Sequence, residues 1–361
     1  MATLPLLWLG CGGDTGCSSH ADASSGSEAS GDLPTSDTPL ADASDAVVDR
    51  PIDLSVDAVL SIEAGPADAS PAFSDNALGL SEPCNTDPAL CDKTYDRVTY
   101  GATHAAMAYA FPPFPCPSQR QTVRGQLDQG IRALSFEVHP SHASVDGGGA
   151  PALCLADCAA GELPMAIALG DVRAYLDVNP REVVTLFFDG GADAQVLASA
   201  IVSAKLDSFA LARAVGDPWP TLRHMIAVGT RVVVLANVTG TGPAWMLPLT
   251  TYVAATGTNF TTPQTMTCDV ARGANDAPLF LLNHFLVDGP GGSSAAIDGG
   301  TPLAPGCDDP QLAHVVNTDP FFSNRVTACR QLRGVKPNFV AMDFFDDGAL
   351  SFVLRALNGG T

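Results

Sequence analysis

Apolar runs of strand length alternate with helix-spaced segments along most of this chain, and that alternation narrows the fold more than any other feature. Glu182–Phe188 (EVVTLFF) is apolar almost throughout, with no polar face, as in a strand buried on both sides within a helix-covered parallel sheet. Leu279–Phe285 (LFLLNHF) reads the same way, and Arg97–Tyr100, Ala133–Val138, Pro151–Leu155, Arg231–Ala236 and Phe339–Phe344 read as further strands. Thr122–Gln129, Leu163–Val178, Ala194–Leu206, Thr221–Val228 and Leu350–Leu357 read as helices, and Pro310–Leu332 is helical in parts. In the second of these helices Leu163, Ile167, Val172 and Leu176 fall at helical spacing, and Asn179-Pro180 stops it. Strand–helix pairs repeated over about 270 residues predict one α/β domain, a single distorted TIM-type (β/α) barrel.

Such a barrel displays its chemistry at the C-terminal ends of its strands. His104 follows the first strand in a Thr-His pair, Glu137 lies near the end of the second, and Asp189 directly ends Glu182–Phe188. Asp343 (in VAMDFF) and His284 (in LLNHF) hold comparable places on late strands. Arg132 lies before its strand, where an ion pair is the simpler reading, and substrate contact is the functional one. His139 and His142 lie in a glycine-rich loop, residues 139–150, on the expected rim, as surface histidines or as substrate-facing groups.

Composition excludes some partners. A formal charge of −21, from 18 basic and 39 acidic residues, argues against nucleic acid and against purely electrostatic docking on anionic lipid. Among ten cysteines no CxxC pair occurs. Cys84/Cys91 and Cys154/Cys158 are closely spaced without the companions of a zinc site. Apart from Cys11 and Cys17, the cysteines form an even set suited to disulfides in an oxidising, extracytoplasmic compartment, and Cys154–Cys158 is the expected local bridge.

Residues 1–11 (MATLPLLWLGC) end in Leu-Gly-Cys and resemble a bacterial lipoprotein lipobox, with Cys11 as the lipidated residue. The apolar run is short and no Lys or Arg precedes it, as a start assigned too far downstream would explain. Residues 12–83 are rich in Ala, Ser, Asp and Pro and read as a solvated tether, His20 included, because they cannot bury enough apolar surface to offset ordering. The barrel then occupies residues 84–361, read as a monomer that reaches a membrane, if at all, through the Cys11 anchor.

Taken together and in order, CDKTYDRVTYGATHAAMA, QLDQGIRALSFEVH, LCLADC, NPREVVTLFF, LLNHF and PNFVAMDFF resemble the phosphatidylinositol-specific phospholipase C X-domain-like proteins, from about Cys84 to Leu357. The resemblance implies a TIM-type barrel and hydrolysis of a phospholipid or inositol phosphodiester. It implies a general base at His104, oriented by Asp343, and a cation or metal that stabilises charge on phosphorus. Calcium is the cofactor such proteins suggest, with Glu137 and Asp189 as its ligands.

Departures from the family pattern are specific. Leu155 stands where a second histidine is usual (Leu-Cys-His), and Ala105 stands where Asn is common. Glu137 replaces Asp, Asp189 replaces Glu, and Ser135 lacks a carboxylate found in calcium-dependent relatives, so two carboxylates form a thin calcium site. The first reading is therefore an active phosphodiesterase using His104 and a substitute acid. The second is a degenerate barrel that binds a phosphorylated or inositol-like ligand without turnover, and the third a purely structural surface lipoprotein.

Overall fold

The computed structural model describes residues 82–110, 114–142, 151–155, 158–287 and 308–359, all within one compact unit, Pro71–Thr361. The lipobox with Cys11, most of the tether and Cys307 lie outside the described residues.

In chain order the elements are β1 (Tyr100–Thr103), α1 (Val123–Asp128), β2 (Ala133–Pro140), β3 (Pro151–Leu153), β4 (Leu163–Pro164), α2 (Met165–Val178), β5 (Val184–Asp189) and α3 (Ala194–Ser203). There follow α4 (Leu222–Val228), β6 (Val232–Ala236), β7 (Met246–Pro248), α5 (Leu249–Tyr252), β8 (Val253–Thr256) and β9 (Val270–Arg272). The chain closes with β10 (Leu279–Asn283), α6 (Pro310–Asn317), α7 (Phe321–Arg333), β11 (Phe339–Met342) and α8 (Leu350–Leu357). Side-chain caps set several starts: the Thr122 hydroxyl accepts from Gly125 N at 3.2 Å, and Asp193 caps α3 the same way.

The curled sheet runs β7-β6-β5-β2-β1-β11-β10-β8, every neighbour parallel, and β9 adds antiparallel to β8. The parallel strands follow one another round in chain order, and the first and last are neighbours. Between β7 and β8 no ladder forms among the described residues; the single turn of α5 joins them directly. The fold is thus a distorted (β/α) barrel, open at one seam.

Strand parity divides its core. Leu134, Phe136, Leu186, Phe188, Val232, Val234, Phe280, Leu282, Val340 and Met342 face the helices and pack with residues such as Leu169, Val172 and Leu197. Ala102, Ala133, Phe187, Val233, Leu235, Leu279, Leu281, Phe339 and Ala341 fill the interior. The interior phase is closed at one end by Tyr95, whose hydroxyl lies 2.5 Å from Thr185 Oγ1 and whose ring stacks on Trp219 at 4.8 Å. Each large side chain buried this way contributes about 1.5–3 kcal/mol.

Some boundaries differ from the sequence reading. Arg97 belongs to a 3-10 turn, Tyr95–Arg97, and β1 begins at Tyr100, so the strand runs straight into His104. The run 151–155 is no barrel strand: β3 folds back antiparallel on β2 and pairs with β4. Disulfides join Cys84–Cys91, Cys154–Cys158 and Cys268–Cys329, and Cys116 is also disulfide-bonded. Among the described residues no helix is long and apolar enough to cross a membrane.

Candidate active site

The same parity that fills the interior with apolar groups brings polar ones to its rim. Following Tyr100 and Ala102 inward leads to His104; Phe339 and Ala341 lead to Asp343; Ala133 and Ser135 lead to Glu137; Thr185 and Phe187 lead to Asp189; Leu279 and Leu281 lead to Asn283. His104, Ser135, Glu137, Asp189, Asn283 and Arg272 line one cleft of about 480 Å³. A larger hollow of about 650 Å³, bordered by Leu350, Leu354 and Asp128, has no histidine in its wall.

His104 and Asp343 follow paired residues, Thr103 and Met342, across the β1–β11 ladder. The His104 Nδ1 stands 2.9 Å from Asp343 Oδ1, which leaves Nε2 as the ring nitrogen that Asp343 does not engage. Behind the ring Phe285 stacks in parallel, centroids 3.8 Å apart. The Gln119 amide donates to the carbonyls of both His104 (2.8 Å) and Met342 (2.9 Å), strapping the two strand ends together. The chain leaves each strand through a left-handed residue, Ala105 at φ 44° and Phe344 at φ 47°, and such strain clusters at functional sites.

Burial pulls the His104 imidazole down, but the charge and hydrogen bond of Asp343, helped by Asp308 and Glu137, outweigh it and hold the group up at about 9. Burial and the neighbouring Asp308 carboxyl push Asp343 up to about 7 against the opposing pull of His104. His104 is 21% exposed and Asp343 only 2%, so the pair presents the imidazole and hides the carboxyl.

Elsewhere in the cleft, Glu137 and Asp189 sit in register on β2 and β5. Asp189 accepts from Asn237 Nδ2 at 3.0 Å and from Gly190 N at 3.1 Å, and its other oxygen pairs with Arg272. Burial works to raise this carboxyl, but the hydrogen bonds from Asn237 and Arg272 prevail and keep it below its ordinary value. Arg272 arrives on β9, and the turn after it needs glycine: at Gly273 (φ +80°) a Cβ would lie 1.9 Å from the Val253 carbonyl oxygen.

That donor set does not fit calcium. One Asp189 oxygen faces a guanidinium and the other is held by amide donors, so the positive charge beside this carboxylate is Arg272 itself. Ala105 and Ser135 supply no carboxylate to complete a coordination shell.

Several expected site residues fall elsewhere. Arg132 is buried at the start of β2, pairs with Glu182 at 2.5 Å and donates to the carbonyls of Leu127 and Ile131 at 2.7 Å, which makes it a scaffold group. His284 is one residue beyond Asn283 and so points away from the cleft, fully buried and stacked on Phe322. Its Nε2 donates to Val316 O at 2.8 Å and its Nδ1 accepts from Arg325 at 3.0 Å; burial and that guanidinium pull it down to about 3, so it stays neutral. His142 is exposed, and its backbone N–H donates to Glu162. His139 is on β2, not in a loop; its buried Nε2 lies 3.5 Å from Glu137 Oε2 with no hydrogen-bond partner. Leu155 packs against the apolar core.

Sequence reasoning missed Arg272, Gln119, Phe285, Asn283 as the cleft-facing member of its pair, and Asp308. Strand parity alone would have found Asn283. Nothing in the short, charged VAR segment of β9 signals a strand.

The family model described as PI-PLC X 1 matches residues 90–358. The chain is 27% identical over 306 residues to "PI-PLC X domain-containing protein 1" of Arthroderma benhamiae, covering 76% of this chain and 89% of that protein. A structure of phosphatidylinositol-specific phospholipase C from S. aureus superposes with a TM-score of 0.49 at 11% identity, covering 75% of this chain and 95% of the other. A pentafluoro-Phe form of the Staphylococcus aureus protein gives 0.48 at 11% identity, over 78% and 96%.

Proposed function

The chain belongs to the PI-PLC X-domain family, and from that premise we propose that it hydrolyses a phosphoric diester, a phospholipid or inositol phosphodiester, with His104 as general base. The observation that carries this reading is the 2.9 Å contact between His104 Nδ1 and the hidden Asp343, at the rim of a cleft that also holds a cation. Asp343 fixes the ring so that Nε2 takes the proton from an attacking hydroxyl, in an inositol substrate the one beside the phosphate. That oxygen bonds to phosphorus as the bond to the leaving oxygen breaks, Arg272 receives the negative charge that builds on the phosphoryl oxygens, and water then opens the cyclic diester that an inositol hydroxyl forms. Calcium takes no part in these steps.

The proton for the leaving group comes from the Glu137–His139 pair. Leu155 has no proton to give, and Asp189 is kept ionised by Asn237 and Arg272. Glu137 lines the cleft and stands 3.5 Å from His139, which makes the two a pair able to carry a proton on this side. We further propose that the protein is a monomer working outside the cytoplasm, as its disulfides favour. The excess of acidic residues disfavours nucleic acid and leaves the Cys11 anchor as the route to a membrane.

A binding barrel without turnover is the second reading, favoured by the apolar packing of Leu155 and the bare methyl of Ala105. Turnover of phosphatidylinositol and of an activated aryl inositol phosphate, by the chain and by His104→Ala, separates the two. We expect hydrolysis that falls on the order of 10²–10⁴-fold in the variant. Binding of either compound without hydrolysis would leave the degenerate barrel.

A further inference from the structure

Behind the His104–Asp343 pair stands a third group that the proposed mechanism leaves unused. The buried Asp343 Oδ2 has no hydrogen-bond donor. The Asp308 carboxyl lies close beside it: ligand-capable atoms of His104, Asp308 and Asp343 all lie within 4.8 Å of one another. Ser118 Oγ donates to Asp308 Oδ2 at 2.6 Å and holds that carboxyl in place. Two carboxylates this close, one of them buried with an oxygen that lacks a donor, repel each other unless a proton lies between them.

We propose that Asp308 is a positioning residue for His104, acting through Asp343: the two carboxyls share a proton on the side of Asp343 turned away from the imidazole. That proton satisfies Asp343 Oδ2 and leaves Oδ1 free to hold His104 Nδ1. Its release adds a second negative charge beneath the ring. The charged groups that face this cluster are few. Glu137 acts on His104 from β2, while Asp189 and Arg272 in the cleft are paired with each other. Beyond Phe344, Arg120 is engaged with Asp346 and Asp347. After Asp343 itself, Asp308 is therefore the group whose loss most directly resets the basicity of His104.

The inference rests on the hydrolase reading, but it can be measured without turnover. Proton NMR titration of the full chain follows the histidine Cε1–H signals, with His104 identified by its loss in His104→Gln and EDTA present throughout. In Asp308→Asn the His104 midpoint is expected to fall by about one unit, roughly half of the two units or so that one carboxylate about 5 Å away gives at an effective dielectric near 20, the rest being lost to solvent screening. Asp308→Glu is expected to restore it. Ser118→Ala, which weakens the ionised form of Asp308 without touching either carboxyl, is expected to move it down by a fraction of a unit. In kcat/KM against pH, the rising limb of Asp308→Asn should shift down by the same interval, raising the rate at pH 7 about tenfold, a response that a purely structural role would not give. A His104 midpoint unmoved in both Asp308→Asn and Ser118→Ala overturns the proposal. A midpoint that moves in a chain that hydrolyses no diester overturns the hydrolase reading and leaves the role of Asp308 standing.

Discussion

Replacing Arg272 with alanine tests the cleft where its electrostatics are most exposed to challenge. Arg272 is the only Lys or Arg among the described residues lining the cleft, and it offers a full positive charge beside Asp189. A unit charge about 4 Å from a developing phosphoryl charge, at an effective dielectric near 20, is worth roughly 4 kcal/mol. The Arg272 side chain is 40% exposed, so solvent screening reduces that figure by about half, to ~2 kcal/mol. At about 1.4 kcal/mol per factor of ten, kcat/KM of Arg272→Ala should fall about thirtyfold. Arg272→Lys keeps the charge but loses the planar fork and should fall between the two. The assay is hydrolysis of an aryl inositol phosphate, in calcium and in EDTA, and the wild-type rate should be the same in both. A variant within threefold of wild type, or a wild type that EDTA silences, would refute the assignment of the cation to Arg272.

Other expectations follow from groups already placed. With His104 held at about 9, wild-type kcat/KM should climb about tenfold per pH unit on the acid side, because the base exists only after the proton leaves. The same groups set the pH dependence of stability. His104 and Asp343 both bind protons more tightly folded than unfolded, so the contribution of Asp343 is lost between about 3.8 and 7 and that of His104 between about 6.5 and 9. Melting temperature measured against pH should therefore decline more steeply between pH 6.5 and 9 in wild type than in His104→Ala; parallel curves would count against the raised imidazole. Arg132→Met leaves Glu182 buried and unpaired and should cost about 3–5 kcal/mol of stability, while the double change Arg132→Met/Glu182→Met recovers much of it. Urea denaturation decides, and a single variant as stable as the double would argue against a buried pair.

Much of this architecture was legible in residue order, because strands buried on both faces leave long apolar runs that little else produces. The reading of Glu182–Phe188 as a buried strand differs from β5 by only a residue or two at its ends. His104 was legible for a related reason, since it directly follows a strand and the barrel assigns that place to chemistry. Parity was the signal left unused: in LLNHF it separates Asn283, in the cleft, from His284, in the outer layer. Arg272 was not legible, because β9 is three residues long with no apolar run, and its position depends on pairing with β8 and on Gly273. Asp308 carries no local mark at all, since its partner is thirty-five positions further along the chain.

Parallel strands that follow chain order round the barrel make the first and last strands neighbours. His104 and Asp343 are 239 positions apart and meet only when β11 docks on β1. A chain still being synthesised holds its histidine early but gains the carboxylate that orients it only near the end. The proposed activity would then switch on with the last step of assembly, and a chain cut short before Asp343 would never acquire it.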